Sequence, residues 1–512
     1  MSDALDRGIT VTELAPMGQP IDVLPETTAA FVGRALRGPV NQPVLVHSFG
    51  DFRHRFGDSW SRSSLGPAVR QFFEHGGRNL YIVRVVNQAR GAMICLPASG
   101  SALVLRAIEP GSTERIRAAV DYDRIDPDDE FFNLTLQRVE PGSGIVADQE
   151  IFERVSFREE SDAFLGNVLT TSSLVRAEAP FPTHRPEATS GTDRQYSQAY
   201  IEHAQGGTDG HELSDYDLIG SRRDETGLFA LQQAEQFDLL YLPPPGKGRD
   251  VGPASLLAAD RYCRERGAML IMDPAVDWVT PDKAIAGVRR LGIGSPNVIG
   301  YFPRMYSRSN DQSGPRAVGG ALAGLLCKLD RSYGPWHALN HEGARFTRDL
   351  VAAYESDDED ESALARQGLN VIVPGPAGRA VVHASVTMGR GNEEHRMFAA
   401  LPVRRLYLHI VNAIDKGTRW AVFEKGDERL AARLQSQVTA YLAAMADMGA
   451  LENDDFAVDC DAGVSRRSDA PEHGVTILVQ LQPAGCSKPL SFTMHQTIAG
   501  CRVSSTAFAP VI

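Results

Sequence analysis

No stretch of this chain is both long and apolar enough to cross a bilayer. The longest uncharged apolar run is residues 317–327, far short of the ~20 residues that a spanning helix requires. No membrane insertion is expected. Within it, Gly320-Ala-Leu-Ala-Gly324 places small residues four apart, a spacing that lets helices approach closely; a soluble helix lying tight against a neighbour is the simpler reading. Residues 1–8 are charged and lack an apolar core, so no secretory signal is expected, and the chain is expected to be made and folded in the cytoplasm. Cysteine is sparse: Cys95, Cys263, Cys327, Cys460, Cys486 and Cys501. No two are spaced as CxxC and no His pair completes a zinc pattern, so separate and mostly buried thiols are expected. Positive charge is in deficit, 52 Lys+Arg against 65 Asp+Glu for a formal charge of −13. That excludes a general nucleic-acid binder, which needs a basic face.

Enzyme signatures are missing as well. There is no GxSxG elbow, no GxxxxGKS/T loop and no strand-linked GxGxxG. Gly57-Asp-Ser59 reads as a helix-capping loop. His211-Glu212 and His341-Glu342 lack the second histidine of a HExxH site. Residues 206–217 are acidic but lack the alternating ligands and terminal Glu of a calcium loop. Residues 355–361 hold six acids in seven positions, and such crowding of like charge predicts an exposed, extended loop. No catalytic, cofactor-binding or metal-binding residue is therefore assigned. An enzyme using the 206–217 loop is a remote alternative, and it requires a pocket with perturbed carboxylates.

What is present is a folded chain of 512 residues, 43% hydrophobic and 23% charged, long enough for roughly three domains. Residues 28–90 alternate strands and helices: strands at 29–33, 43–47 and 80–86, helices at 48–56 and 65–75. Residues 91–206 change to short strand-like runs between acidic or Gly-Pro turns, a β-rich insertion with long loops. Residues 207–345 return to α/β alternation, with buried strands at 238–242, 268–272 and 297–302. The division expected is 1–22 arm and linker; 23–90 plus 207–345 α/β body; 91–206 inserted peripheral domain; 346–484 C-terminal α+β unit; 485–512 C-terminal arm. The C-terminal unit has helices at 404–416 and 427–448 and strands at 456–460 and 475–481.

The two ends carry the informative pattern. Gly8-Ile-Thr-Val-Thr-Glu-Leu14 is a β-rich run with no adjacent partner, followed by a Pro/Gly linker. Beyond a second Pro/Gly linker, Leu490, Phe492 and Met494 alternate with polar residues. Strands 456–460 and 475–481 alone make a sheet too small to be stable; a strand added at each edge makes four. Arms supplied by neighbouring molecules would stitch subunits together through main-chain hydrogen bonds, whereas arms folding back onto their own chain satisfy the same pattern.

Several stretches resemble the tail sheath proteins of contractile phage tails and related injection machines. They are residues 8–14; Thr27-Thr-Ala-Ala-Phe-Val-Gly-Arg-Ala-Leu-Arg-Gly-Pro-Val-Asn-Gln-Pro-Val-Leu-Val46; Gly76-Gly-Arg-Asn-Leu-Tyr-Ile-Val-Arg-Val85; Thr226-Gly-Leu-Phe-Ala-Leu231; Val298-Ile-Gly-Tyr-Phe-Pro303; Tyr333-Gly-Pro-Trp-His-Ala338; and Gly417-Thr-Arg-Trp-Ala-Val-Phe-Glu424. Their order and spacing carry the resemblance, over all of the chain except 91–206. It implies an α/β (α+β) multidomain fold with a sheath-like core of mixed sheet and flanking helices, a β-rich insertion and terminal strand arms. It implies a non-enzymatic virion subunit without a cofactor. Such a subunit forms stacked hexameric rings with copies of itself around a tail tube protein, and contracts to drive the tube through an envelope. Baseplate and terminator proteins are its other partners, and a sheath-like baseplate or terminator component is the alternative role.

The strand-exchange residues implied are Ile9, Val11 and Leu14 in one arm, Leu490, Phe492 and Met494 in the other, and Val475, Ile477 and Val479 in the receiving sheet. The tube-facing helix implied is 404–416 or 427–448. Because Cys486 and Cys501 flank the C-terminal arm and Cys460 lies in the receiving sheet, intersubunit disulfides in oxidising surroundings are an expectation to test, set against unpaired thiols.

Overall fold

The computed structural model describes residues 20–24, 26–126, 128–189, 199–246, 248–309, 314–341, 343–391, 393–424, 428–461, 474–486, 488–497 and 500–505. The body begins with β1 (Thr28–Gly33). It is apolar on both sides because both sides are covered: Ala29 and Phe31 enter one core while Ala30 and Val32 enter another, the two-residue alternation of a central strand. β2 (Pro43–Val46) follows. α1 (Phe49–Phe56) starts where the Ser48 hydroxyl accepts the Asp51 amide at 3.0 Å, and it stops at Gly57. α2 (Leu65–Glu74) and β3 (Asn79–Arg84) complete this part.

The chain then leaves the body. β4 (Gly91–Ala98), β5 (Ser101–Pro110), β6 (Ile116–Asp121), β7 (Phe131–Val139), β8 (Val146–Ser156), α3 (Leu165–Val168), β9 (Val175–Glu178) and β10 (Ile201–Glu202) form one three-stranded sheet, β4-β5-β9, and one four-stranded sheet, β10-β6-β7-β8. Both bury side chains in a core of their own around Ile94, Leu105, Phe132 and Leu134. A buried arginine couples this unit to the body. The Arg84 guanidinium donates to the carbonyls of Ala35, Leu36 and Gly38 in the body and of Pro110 at the end of β5. Burial pulls its pKa down to about 10. The four carbonyls leave little of its hydrogen-bonding capacity unmet.

The body resumes with α4 (Asp215–Ile219), β11 (Leu239–Tyr241), α5 (Pro253–Arg266), β12 (Met269–Met272), α6 (Pro281–Leu291), β13 (Val298–Phe302), β14 (Met305–Ser307), α7 (Gly319–Tyr333), β15 (Leu350–Ala352), α8 (Asp358–Arg366), β16 (Leu369–Pro374) and β17 (Ala380–His383). The main sheet runs β17-β16-β13-β12-β11-β1-β3-β2. Its interior pairs are parallel, and the short edge strands β2 and β17 are antiparallel. It thus draws strands from residues 369–383, within the segment assigned by sequence to the C-terminal unit.

Gly320 and Gly324 of α7 face α2: a Cβ would lie 2.3 Å from the Ala68 carbonyl oxygen at one and 2.3 Å from that of Phe72 at the other. Small residues four apart therefore mark a closely packed helix pair, as the pattern predicted. The acidic run 355–361 differs from expectation. It is no extended loop but the start of α8, where the Asp357 carboxylate accepts the Asp360 amide at 2.8 Å. Carboxylates in a first helical turn meet the unpaired amides and the positive end of the helix dipole, which offsets their mutual repulsion.

The C-terminal part has α9 (Leu401–Thr418), α10 (Glu428–Asp447), β18 (Leu451–Asp461), β19 (Gly474–Pro483), β20 (Leu490–Thr497) and β21 (Gly500–Ser505). Leu430, Leu434, Val438, Leu442 and Met445 line the buried face of α10, and Leu406, Ile410 and Ile414 that of α9. Both faces join the core of one side of the body sheet.

Candidate assembly interface

The four terminal strands form one antiparallel sheet in the order β18-β19-β20-β21. Val475, Ile477, Val479 and Leu481 of β19 stand opposite Gln496, Met494, Phe492 and Leu490 of β20. All these apolar side chains are buried in the core shared with α9 and α10, and the Phe492 ring meets Tyr407 edge-on at 5.3 Å between centroids. The structure therefore brings together the candidate residues Val475, Ile477, Val479, Leu490, Phe492 and Met494, and it does so within one chain. Sequence reading did not anticipate β21, which supplies a fourth strand.

The two flanks of this sheet are open. Among the described residues, β18 pairs only with β19 and β21 only with β20. An eleven-residue edge with no second partner strand among the described residues, though the Val458 carbonyl accepts from Gln435, is a template for a further strand.

Ile9, Val11 and Leu14 lie outside the described residues. The described chain begins at the root of that segment, and the root is held firmly. Ile21 is buried against Gly417 on α9, where a Cβ would come within 2.6 Å of it. His409 donates from Nε2 to the Val23 carbonyl at 2.9 Å, and burial pushes its pKa down. Thr27 donates to Asp330 Oδ2 at 2.7 Å, and the same oxygen receives Arg405. Thr28 N donates to Asp238 Oδ2 at 2.8 Å; burial pushes the Asp238 carboxyl up to about 6. Asp330 and Arg405 are both 5% exposed. This pair ties α7, α9 and the chain entering β1 at one point. Nothing in the spacing of Thr27, Asp238 and Asp330 announces it, because they come from three separate segments that meet Arg405 and His409, one turn apart on α9.

All six cysteines, each among the described residues, are free thiols. Cys460 and Cys501 lie on the opposite flanks β18 and β21, three strand spacings or about 14 Å apart, too far for a bond within one chain. Burial pushes both thiols up to about 12 and also raises Cys486, which slows oxidation because the thiolate is the reacting form. Among the described residues, no group of three or more His, Cys, Asp or Glu could hold a metal ion, and no helix is long and apolar enough to cross a membrane.

This combination, a mixed α/β body with an inserted β unit and a small antiparallel sheet at the chain's end, defines a known class: the chain has the fold of contractile tail sheath proteins. It is similar to the sheath tail protein of Listeria innocua, with a TM-score of 0.59 and 14% identity over 92% of this chain and 94% of that one. A sheath tail protein of Desulfitobacterium hafniense gives 0.55 and 14% over 93% and 98%. The helical sheath of the anti-feeding prophage in its contracted state gives 0.53 and 14% over 95% and 97%. In sequence, the tail sheath protein of Vibrio phage KVP40 is 27% identical over 191 residues, 36% of this chain and 27% of that protein. The matched stretch thus spans about a quarter of that relative's length. No family model matches the chain.

Proposed function

We propose that this chain is a structural, non-enzymatic subunit of a contractile tail sheath. It forms stacked hexameric rings around a tail tube and contracts to drive the tube through an envelope, with baseplate and terminator proteins at the ends. It is made and assembled in the host cytoplasm and then resides in the virion. The observation that carries this reading is the likeness in fold to sheath proteins across more than nine-tenths of the chain. The open-flanked terminal sheet supports exchange of strands between subunits. Its β20 and β21, connected to β19 through residues 484–489, are the segment that one copy lends to the next, and residues 8–14 join the β18 flank of another copy.

Exposure favours α10 over α9 as the tube-facing helix. α9 is buried on most sides, whereas Arg429, Ala432, Ser436, Thr439 and Ala440 of α10 are exposed, beside Phe423 at 81%. Negative-stain microscopy of the purified full chain tests the reading: long striated hollow cylinders are expected, and discrete globules overturn it. Deleting residues 1–20 abolishes such cylinders in a sheath; a terminator, which does not need arms at both ends, still assembles.

A further inference from the structure

The inward positions of β20 read Leu490, Phe492, Met494 and then Gln496, an amide at the end of an apolar row. Gln496 is 2% exposed. It packs where α9 ends, and its polar atoms are met there. Nε2 donates to the Asp415 carbonyl at 2.9 Å and approaches Asp415 Oδ1 at 3.3 Å. The Thr418 hydroxyl lies 2.8 Å from Gln496 Oε1 and 2.6 Å from the Ile414 carbonyl, sharing its proton between them. Thr418 itself is fully buried.

Consider how β20 could be misplaced along β19. A one-residue slip turns Phe492 and Met494 outward, so burial alone forbids it. A two-residue slip keeps every apolar side chain inward, and an apolar row discriminates poorly against it. That slip sets Met494 against Asp415 and Thr418, so the Asp415 carbonyl loses the Gln496 amide and the Thr418 hydroxyl loses Gln496 Oε1, while Asp415 keeps Arg419 and Thr418 keeps the Ile414 carbonyl. Losing these buried bonds should lower the slipped population by roughly tenfold. One buried polar residue on an apolar seam is a known way to fix register.

We propose that Gln496 sets the register of the C-terminal strand, and that the Asp415–Thr418 end of α9 is the receptor selecting this segment from a second copy of the same chain. The partner half rests on the strand-exchange reading above; the register half stands on the geometry alone. A foreign strand with only apolar alternation fills the groove but does not make the bonds that Gln496 makes there.

Cross-linking in the assembled full chain tests both halves. Thr476 and His495 face each other in the observed register, whereas Thr493 faces Thr476 after the two-residue slip. With Cys460, Cys486 and Cys501 replaced by Ser, Thr476→Cys is combined with His495→Cys or with Thr493→Cys and oxidised. The in-register pair should exceed the slipped pair about tenfold. Adding Gln496→Met should bring the two yields close together. Unchanged yields in Gln496→Met overturn the register assignment. Should that variant not fold, Thr418→Val alters the receptor and leaves the strand intact, and it is expected to do the same. Products running as covalent ladders support a second copy as donor; products confined to the monomer band overturn strand exchange and leave the register result readable.

Discussion

The body sheet and the terminal sheet solve the same problem in opposite ways. In the body, the interior strands are covered on both faces, and the edges are the short antiparallel strands β2 and β17, four residues each. In the terminal sheet only one face is covered. Thr476, Leu478, Ser491, Thr493 and His495 remain half-exposed, and among the described residues neither β18, eleven residues long, nor β21 takes a second partner strand. A short edge strand offers little backbone for pairing, whereas a long one is a template for a further strand. The difference makes the long β18 edge, rather than β2 or β17, the place to test for a further strand.

The largest test of this contrast is at the seam between them. Arg405→Ala leaves Asp330 buried without its partner and should cost about 3–5 kcal/mol in urea unfolding, whereas replacing both residues by apolar ones of similar volume should cost far less. Equal losses from the single and double variants would mean that the pair does not bind α9 to the body. Next, Phe492→Ala removes a fully buried ring and should cost about 3 kcal/mol. Amide exchange should accelerate across β18–β21 while β1, β11 and β12 stay protected; uniform acceleration would show one cooperative unit and dissolve the comparison.

The body also carries a pH signature. Asp273, bonded to the hydroxyls of Tyr241 and Tyr301 and to the Gly319 amide, is pushed up to about 6 by burial. A carboxyl that holds its proton more tightly when folded adds stability that is full below pH ~4 and is lost as pH rises through about 6, by roughly 3 kcal/mol. Asp273→Asn should flatten that part of the stability curve, and an identical slope would show that the group does not titrate there. His75 and His409, whose pKa values burial lowers, bend the curve the other way: the stability they contribute is lost as pH falls below about 6.5. The smallest effect belongs to the surface. Arg55→Ala breaks an exposed pair with Asp51 on α1 and should shift unfolding by at most about 0.5 kcal/mol; a loss above 1 kcal/mol would show that α1 is held by more than its Phe52–Phe56 face.

Much of this architecture could be read before any coordinates. β1, β3, β11 and β12 were legible because strands covered on both faces are apolar almost without a break. Gly320 and Gly324 were legible as a close contact, though not that α2 supplied it. α8 was misread because charge density was weighed as repulsion alone, and its one buried apolar residue, Leu364, leaves no periodicity to correct the reading. β21 was missed because Gly500–Ser505 is half-polar and earns its strand only by pairing with β20. In the candidate interface the apolar rows of β19 and β20 were visible, but Gln496 looked like the end of the row rather than part of it.

By itself the sequence determined most strands and helices of the body, which faces are apolar, and that the C-terminal end carries β structure beyond a linker. These follow from local periodicity and turn chemistry, which operate over a few neighbouring residues. Only the tertiary structure decided that Asp330 meets Arg405, that Arg84 spans two units, and that Gln496 reaches the end of α9. Such contacts join residues tens or hundreds of positions apart, and their energies depend on distance and burial, which no local pattern records.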